Sequence, residues 1–213
     1  MTVILSTHPV SLDDVIAVAR HDAPVELADD ARALIAKVRA GVDELAQGDT
    51  PVYGLSTGFG ALADTAIPQP MRAQLQRSLI RSHAAGSGPE VEREVIRALM
   101  FLRIRTLASG HTGVRAEVVD AYLGLLNAGI TPIVHEYGSL GCSGDLAPLA
   151  HCALVLMGEG RARDAHGVER PVPELLNEAG LHPVELAEKE GLALINGTCL
   201  LYTSDAADDT PWV

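Results

Sequence analysis

The sequence has 213 residues, 47% of them hydrophobic but only 3% aromatic, and a formal net charge of −12. That is enough apolar material for one sizeable domain, with an aliphatic, alanine-rich core of the kind packed helices make. The acidic balance argues against nucleic-acid partners and anionic membrane surfaces, and no window approaches the roughly 18 apolar residues of a membrane-crossing helix.

In chain order, the first six residues carry no basic leader. Ser11 with Asp14 opens a helix in capping style, with Leu12, Val15, Ile16 and Ala19 as its apolar stripe, and Pro24 ends it. Val25-Glu26-Leu27 reads as a short link to a second helix over 29–47, with Leu34, Ile35, Val38, Val42 and Leu45 on one face. Residues 52–60 form a glycine-rich loop. Helical periodicity returns over 70–82 through Leu75 and Leu79. It recurs over 90–108 through Val91, Val95, Leu99 and Leu102, with Arg93, Arg97 and Arg103 off that stripe. A further helix spans 115–127 and stops at Gly129. Residues 146–157 are nearly all apolar and predict a central buried helix. A hairpin turning at Gly167 over 161–170 and a short helix over 173–179 follow. With no repeat, low-complexity tract or linker, the fold class is mainly α.

The chemistry lies in Gly141-Cys142-Ser143-Gly144-Asp145, preceded by Tyr137-Gly138-Ser139-Leu140 and followed by Leu146-Ala147-Pro148-Leu149-Ala150-His151. In a compressed loop the Gly144 amide nitrogen can attack the Cys142 carbonyl carbon, because glycine has no Cβ to obstruct the approach. Loss of water closes a five-membered ring. Loss of the Ser143 hydroxyl then leaves an exocyclic methylene, an electrophile made from backbone. A phosphate-binding loop is excluded, since no Gly-Lys-Ser/Thr follows.

The run from Gly141 to His151 resembles the signature of the aromatic amino acid ammonia-lyases, in which an Ala-Ser-Gly triad becomes a methylidene-imidazolone (MIO). Cys142 stands where the family more often has alanine; its only contribution to the ring is a backbone carbonyl. Two further runs are similar to family motifs. They are Tyr53-Gly54-Leu55-Ser56-Thr57-Gly58-Phe59-Gly60 and Glu190-Gly191-Leu192-Ala193-Leu194-Ile195-Asn196-Gly197-Thr198.

The resemblance implies the MIO-bearing N-terminal domain of an aspartase/fumarase-like helical fold, over residues 1–198. It implies an MIO formed from Cys142-Ser143-Gly144 with no external cofactor, Tyr53 as base on the substrate β-carbon, and Asn196 beside the ring and the substrate carboxylate. His83, in Gln76-Arg77-Ser78-Leu79-Ile80-Arg81-Ser82-His83, matches the position where members acting on polar rings place a histidine against the substrate ring. The activity implied is elimination of ammonia from L-histidine to give trans-urocanate. A tyrosine-acting lyase or an aminomutase on the same scaffold is the alternative. A cytoplasmic homotetramer is implied, with no nucleic-acid or membrane partner.

Two histidines read as structural, His151 as a satisfied core residue and His111 at a turn, while His135 is too isolated to assign. With Cys142, Cys152 and Cys199 they form no metal spacing, and the cysteines no disulfide pattern, consistent with a reducing compartment. From Cys199 onward the sequence leaves the family pattern and resembles an in-frame translation of a sequencing-library adapter. Residues 199–213 therefore read as a foreign tail. The chain reads as truncated before the long central helices, and inactive alone.

Overall fold

A computed structural model describes residues 2–138 and 146–197. The expectations placed on Cys142, Ser143, Gly144 and the 199–213 tail lie outside them. The fold is mainly α, as the composition predicts, with three small sheets at its margins.

Strand β1 (Val3–Leu5) pairs in parallel with β2 (Val25–Leu27), and α1 (Leu12–His21) crosses between them. The start of α1 is the expected capping box. Ser11 Oγ accepts from the Asp14 N–H (3.1 Å) while the Asp14 carboxylate accepts from the Ser11 N–H (2.9 Å). The helix ends before Pro24, at Asp22, whose φ of 52° reverses the chain. The segment expected as a link is thus a strand. Three residues are too few to show alternation, and the edge facing away from β1 is completed by a side chain. The Asn127 amide donates to the Val25 carbonyl and accepts from its N–H, both at 2.9 Å.

Helix α2 (Asp29–Gln47) buries Ala31, Ile35, Arg39, Val42 and Ala46, leaving Leu45 exposed. The expected face is therefore rotated, because its central buried residue is an arginine. Helix α3 (Gln69–His83) leads through β3 (Ser87–Glu90) into α4 (Arg93–Ala108), where the same lesson is sharper. The predicted stripe fails, since Val95 and Leu102 are exposed. The buried face is Ile96, Met100, Phe101, Ile104 and Leu107, together with Arg97 and Arg103. An apolar count treats arginine as an outside residue; here two guanidiniums lie inside, bonded to carbonyls.

Helix α5 (Ala116–Asn127) stops at Gly129 as predicted, with φ of 70°. Then come β4 (Thr131–Pro132) and β5 (His135–Tyr137), the latter antiparallel to β3. Helix α6 (Leu146–Leu156) is the predicted central helix, burying seven of its residues among α3, α5 and the helices below. Strands β6 (Arg161–Arg163) and β7 (Glu169–Pro171) form the predicted hairpin, with β4 added on its outer side. Helices α7 (Val172–Glu178) and α8 (Glu190–Ile195) close the described chain. No helix among the described residues is long and apolar enough to cross a membrane.

Two buried side chains report on the core directly. Burial pushes the Cys152 thiol up to about 12, so it stays protonated and inert. Arg97 on α4 donates to the carbonyls of Val18 (3.0 and 3.1 Å) and Leu126 (2.9 Å), tying α1 to the end of α5. Arg97→Met is expected to orphan the Val18 carbonyl at about 1–3 kcal/mol and to leave the Leu126 carbonyl with its backbone bond from Gly129. Urea unfolding measures this, and a variant within about 0.5 kcal/mol of the parent would show the bonds to be dispensable.

Candidate functional site

The motif around Tyr53 is a loop in which most residues have a structural task. Leu55 is buried against Val42 and Ala46 of α2. Ser56 Oγ accepts from the Val52 N–H at 2.9 Å, and Thr57 Oγ1 donates to the Gly58 carbonyl at 3.1 Å. Gly54 has φ of 69°, and a Cβ there would stand 2.7 Å from Leu192 Cδ2 and 2.8 Å from Phe59 Cε1. Both the conformation and the space demand glycine. The loop therefore lies directly on α8. Tyr53 itself is left 52% exposed, edge-on to Phe59 with ring centroids 6.0 Å apart, and its hydroxyl accepts from the Gly60 N–H at 3.3 Å.

His83 is the last residue of α3. Its Nδ1 lies 2.9 Å from the Leu79 carbonyl and 3.0 Å from Ser82 Oγ, whose own proton goes to the same carbonyl. A carbonyl only accepts, so Nδ1 carries the hydrogen. In the neutral ring Nε2 is then the lone-pair nitrogen.

Asn196 follows α8, and its N–H closes that helix on the Leu192 carbonyl at 2.9 Å. Its carbonyl accepts from Arg103 at 2.9 Å. The same buried guanidinium donates to the carbonyls of Leu194 (3.1 Å) and Ala193. At the other end of α8, the fully buried Glu190 carboxylate accepts from the Arg115 side chain and N–H (each 2.9 Å) and the Ala187 N–H (2.7 Å). The Arg115 side chain thereby gains a raised pKa, chiefly from that hydrogen-bonded pair. Six residues cannot hold a helix alone; these two charged anchors fix α8 in place.

Cys142, Ser143 and Gly144 lie outside the described residues, but both flanks of their loop are on view. A Cβ at Gly138 would stand 3.0 Å from Ala147 Cβ and 3.2 Å from Gly86 Cα, so the chain departs and returns at one spot. Gly86 follows His83 by three residues. Its N–H donates to His151 Nε2 of α6 at 3.0 Å, which makes His151 a half-buried clasp with a bonded ring. His135, at 6.0 Å between centroids, stands edge-on to it and bonds the Gly88 carbonyl through Nδ1 at 2.9 Å. Helices α3, α6 and α8 pack on one another in all three pairings. Gly86, three residues after His83, thus touches both flanks of the Ser143 loop, while the Tyr53 loop rests on the α8 helix that ends at Asn196.

A cavity of about 710 Å³ lies against α8, lined by Leu102, Arg103, Thr106, His111, Leu192 and Asn196 among others. Neither Tyr53 nor His83 borders it. Among the described residues no group of three or more His, Cys, Asp or Glu is placed to hold a metal ion. Two contributors escaped the sequence reading. Arg103 was read as lying off the apolar stripe of its helix, and Gln76 was quoted only as part of a motif. A signal for Gln76 existed, since it falls three and four residues before the apolar Leu79 and Ile80, where an amide must find partners.

Residues 10–206 match the aromatic amino acid lyase family. Over 197 residues the chain is 63% identical to a histidine ammonia-lyase of Streptomyces avermitilis, an alignment covering 92% of this chain and 38% of that protein. The solved histidine ammonia-lyase of Trypanosoma cruzi superposes with a TM-score of 0.85 at 40% identity, over 93% of this chain and 38% of its own. The ergothioneine-degrading ergothionase of Treponema denticola gives 0.89 at 33% identity, over 93% and 39%. The chain thus spans well under half the length of these relatives.

Burial, followed by His135, holds the His151 pKa below its ordinary value, and the Gly86 bond needs Nε2 unprotonated. The unfolded chain therefore takes up a proton near pH 6.5 that the folded chain refuses. Stability is expected to decline as pH falls below about 6.5, and melting curves from pH 7.5 to 5.5 measure it. His151→Gln, which keeps an acceptor but cannot titrate, should flatten that decline; an unchanged slope counts against the clasp.

Proposed function

The chain belongs to the aromatic amino acid lyase family, and on that premise we propose that its active form eliminates ammonia from L-histidine to give trans-urocanate. The observation that carries the reading is the meeting of Gly138, Ala147 and Gly86. It puts the His83 segment against both flanks of the Ser143 loop. The similarity to histidine ammonia-lyases supports the substrate.

The residues present fit an MIO. Cys142-Ser143-Gly144 has the required order, and its loop leaves and re-enters the fold at one point, immediately before α6. The group would supply an electrophilic carbon that takes the substrate amine and turns it into a leaving group. The N-terminus of α6, directly after the loop, would support negative charge there through the helix dipole.

The chain's own residues account for the remaining needs. Tyr53, exposed and with its oxygen accepting from Gly60, is the proposed base for the β-proton of the substrate. The electron pair of that C–H bond becomes the new double bond as the Cα–N bond breaks. His83 offers Nε2 as an acceptor for the imidazole N–H of the substrate. Asn196, whose backbone is fixed by Arg103, offers an uncharged amide to the carboxylate. Assembly as a cytoplasmic homotetramer belongs to the same proposal and rests on the family resemblance; a foreign origin for residues 199–213 rests on the sequence pattern alone, since the family match itself runs to residue 206.

The test uses a full-length hybrid in which residues 2–197 replace the matching part of the Streptomyces avermitilis relative. Ser143→Ala is expected to remove nearly all urocanate formation while leaving fold and assembly intact; normal turnover would exclude the MIO assignment. Cys142→Ala should be nearly silent. His83→Leu should shift the kcat/KM ratio from histidine toward phenylalanine by about a hundredfold or more. An unchanged ratio would make His83 structural and remove histidine's privileged place.

A further inference from the structure

We propose that Gln76 is the positioning residue that holds the Tyr53 loop and the Asn196 helix in register; this rests on the reading of Tyr53 and Asn196 as site residues. Gln76 lies in the middle of α3 and is completely buried. Its Nε2 donates to the Gly54 carbonyl at 3.4 Å, one residue after Tyr53. Its Oε1 accepts from the Leu192 N–H at 3.2 Å, in the helix that ends at Asn196.

Only one orientation of the amide satisfies both partners, because a carbonyl cannot donate and an N–H cannot accept. An apolar side chain would leave two buried backbone groups unpaired, and a carboxylate would face the Gly54 carbonyl with negative charge. The packing around this bridge leaves no slack. A Cβ at Gly191 would stand 2.8 Å from the Gln76 carbonyl oxygen and 2.9 Å from Oε1, so α8 rests directly on α3. Leu192 also fills the space beside Gly54. One amide on α3 thus joins the two segments that bear Tyr53 and Asn196, while the C-terminus of the same helix bears His83. None of the three residues is close to another in sequence. Their relative placement depends on this bridge, and misplacement by about 1 Å can cost about a hundredfold in rate.

The experiment compares the full-length hybrid with its Gln76→Met and Gln76→Glu variants. Three readouts are taken: kcat and KM per folded protein, melting temperature, and hydrogen exchange. For Gln76→Met, exchange should rise several-fold in residues 52–60 and 190–196 together, with α5 unchanged. Its kcat should fall about 10- to 100-fold with KM within about threefold. Gln76→Glu should regain activity relative to the parent as pH is lowered, because a protonated carboxyl recovers the donor to Gly54. A residue that only supports folding would lower melting temperature and yield, and leave kcat per folded protein unchanged; that result overturns the proposal. So does exchange that rises evenly over the domain or not at all, or a Glu variant that tracks the Met variant at every pH. If the unsubstituted hybrid turns over no histidine, the proposed function falls, while the exchange measurement still decides the bridge.

Discussion

The arrangement depends on a cation buried against helix carbonyls. Arg103 has no carboxylate partner among the described residues; its guanidinium faces the Ala193, Leu194 and Asn196 carbonyls at the end of α8. Burial pulls its pKa down, yet an arginine keeps its charge in proteins, and the negative end of a helix answers it. Removing that charge would free the last turn of α8 and the backbone of Asn196 with it. Arg39 and Arg97, which also pair with Asp43 and Asp22, donate likewise to the Gly113 and Glu188 carbonyls and to the Val18 and Leu126 carbonyls. Three arginines thus do inside this domain what caps and strand partners do elsewhere: they satisfy chain ends that would otherwise be buried unpaired.

The residues proposed to face the substrate are by contrast lightly held. Tyr53 is half-exposed and His83 partly so, while their backbone neighbours are locked by Leu55, Gly54, Leu79 and Gln76. The division suits a reaction site, because rigid surroundings set position and uncommitted functional atoms meet the ligand. It also explains why each motif is rich in glycine and small hydroxyl residues. These let the loop and α8 approach closely enough for one glutamine amide to reach both.

Much of this was legible in the sequence. The capping box at Ser11, the stop at Gly129, the hairpin at Gly167 and the buried apolar helix from Leu146 each follow from a local rule, and each is present. The parallel pairing of Val3–Leu5 with Val25–Leu27 was not legible, since two three-residue strands carry no periodicity and one is completed by the distant Asn127. The faces of α2 and α4 were misread for one shared reason: arginine counts as polar in any pattern, whereas its fate depends on carbonyls far along the chain. Tyr53, His83 and Asn196 were found through motif likeness. The periodicity of their segments alone would have left each as a packing or turn residue. The role of Gln76 was not legible, because its two partners are 22 and 116 residues away.

The anchors of α8 have a bearing on how the chain acquires its shape. Glu190 binds Arg115 across 75 residues, Arg103 reaches Asn196 across 93, and Arg39 reaches the Glu188 carbonyl across 149. Contacts that span so much chain carry the loop-closure cost of everything between them and form late. During synthesis, α1 through α6 can pack while the α8 segment is still inside the ribosome. The helix that carries Asn196 is then a latch, closing on a domain already built and setting Leu192 against the Tyr53 loop in the same event.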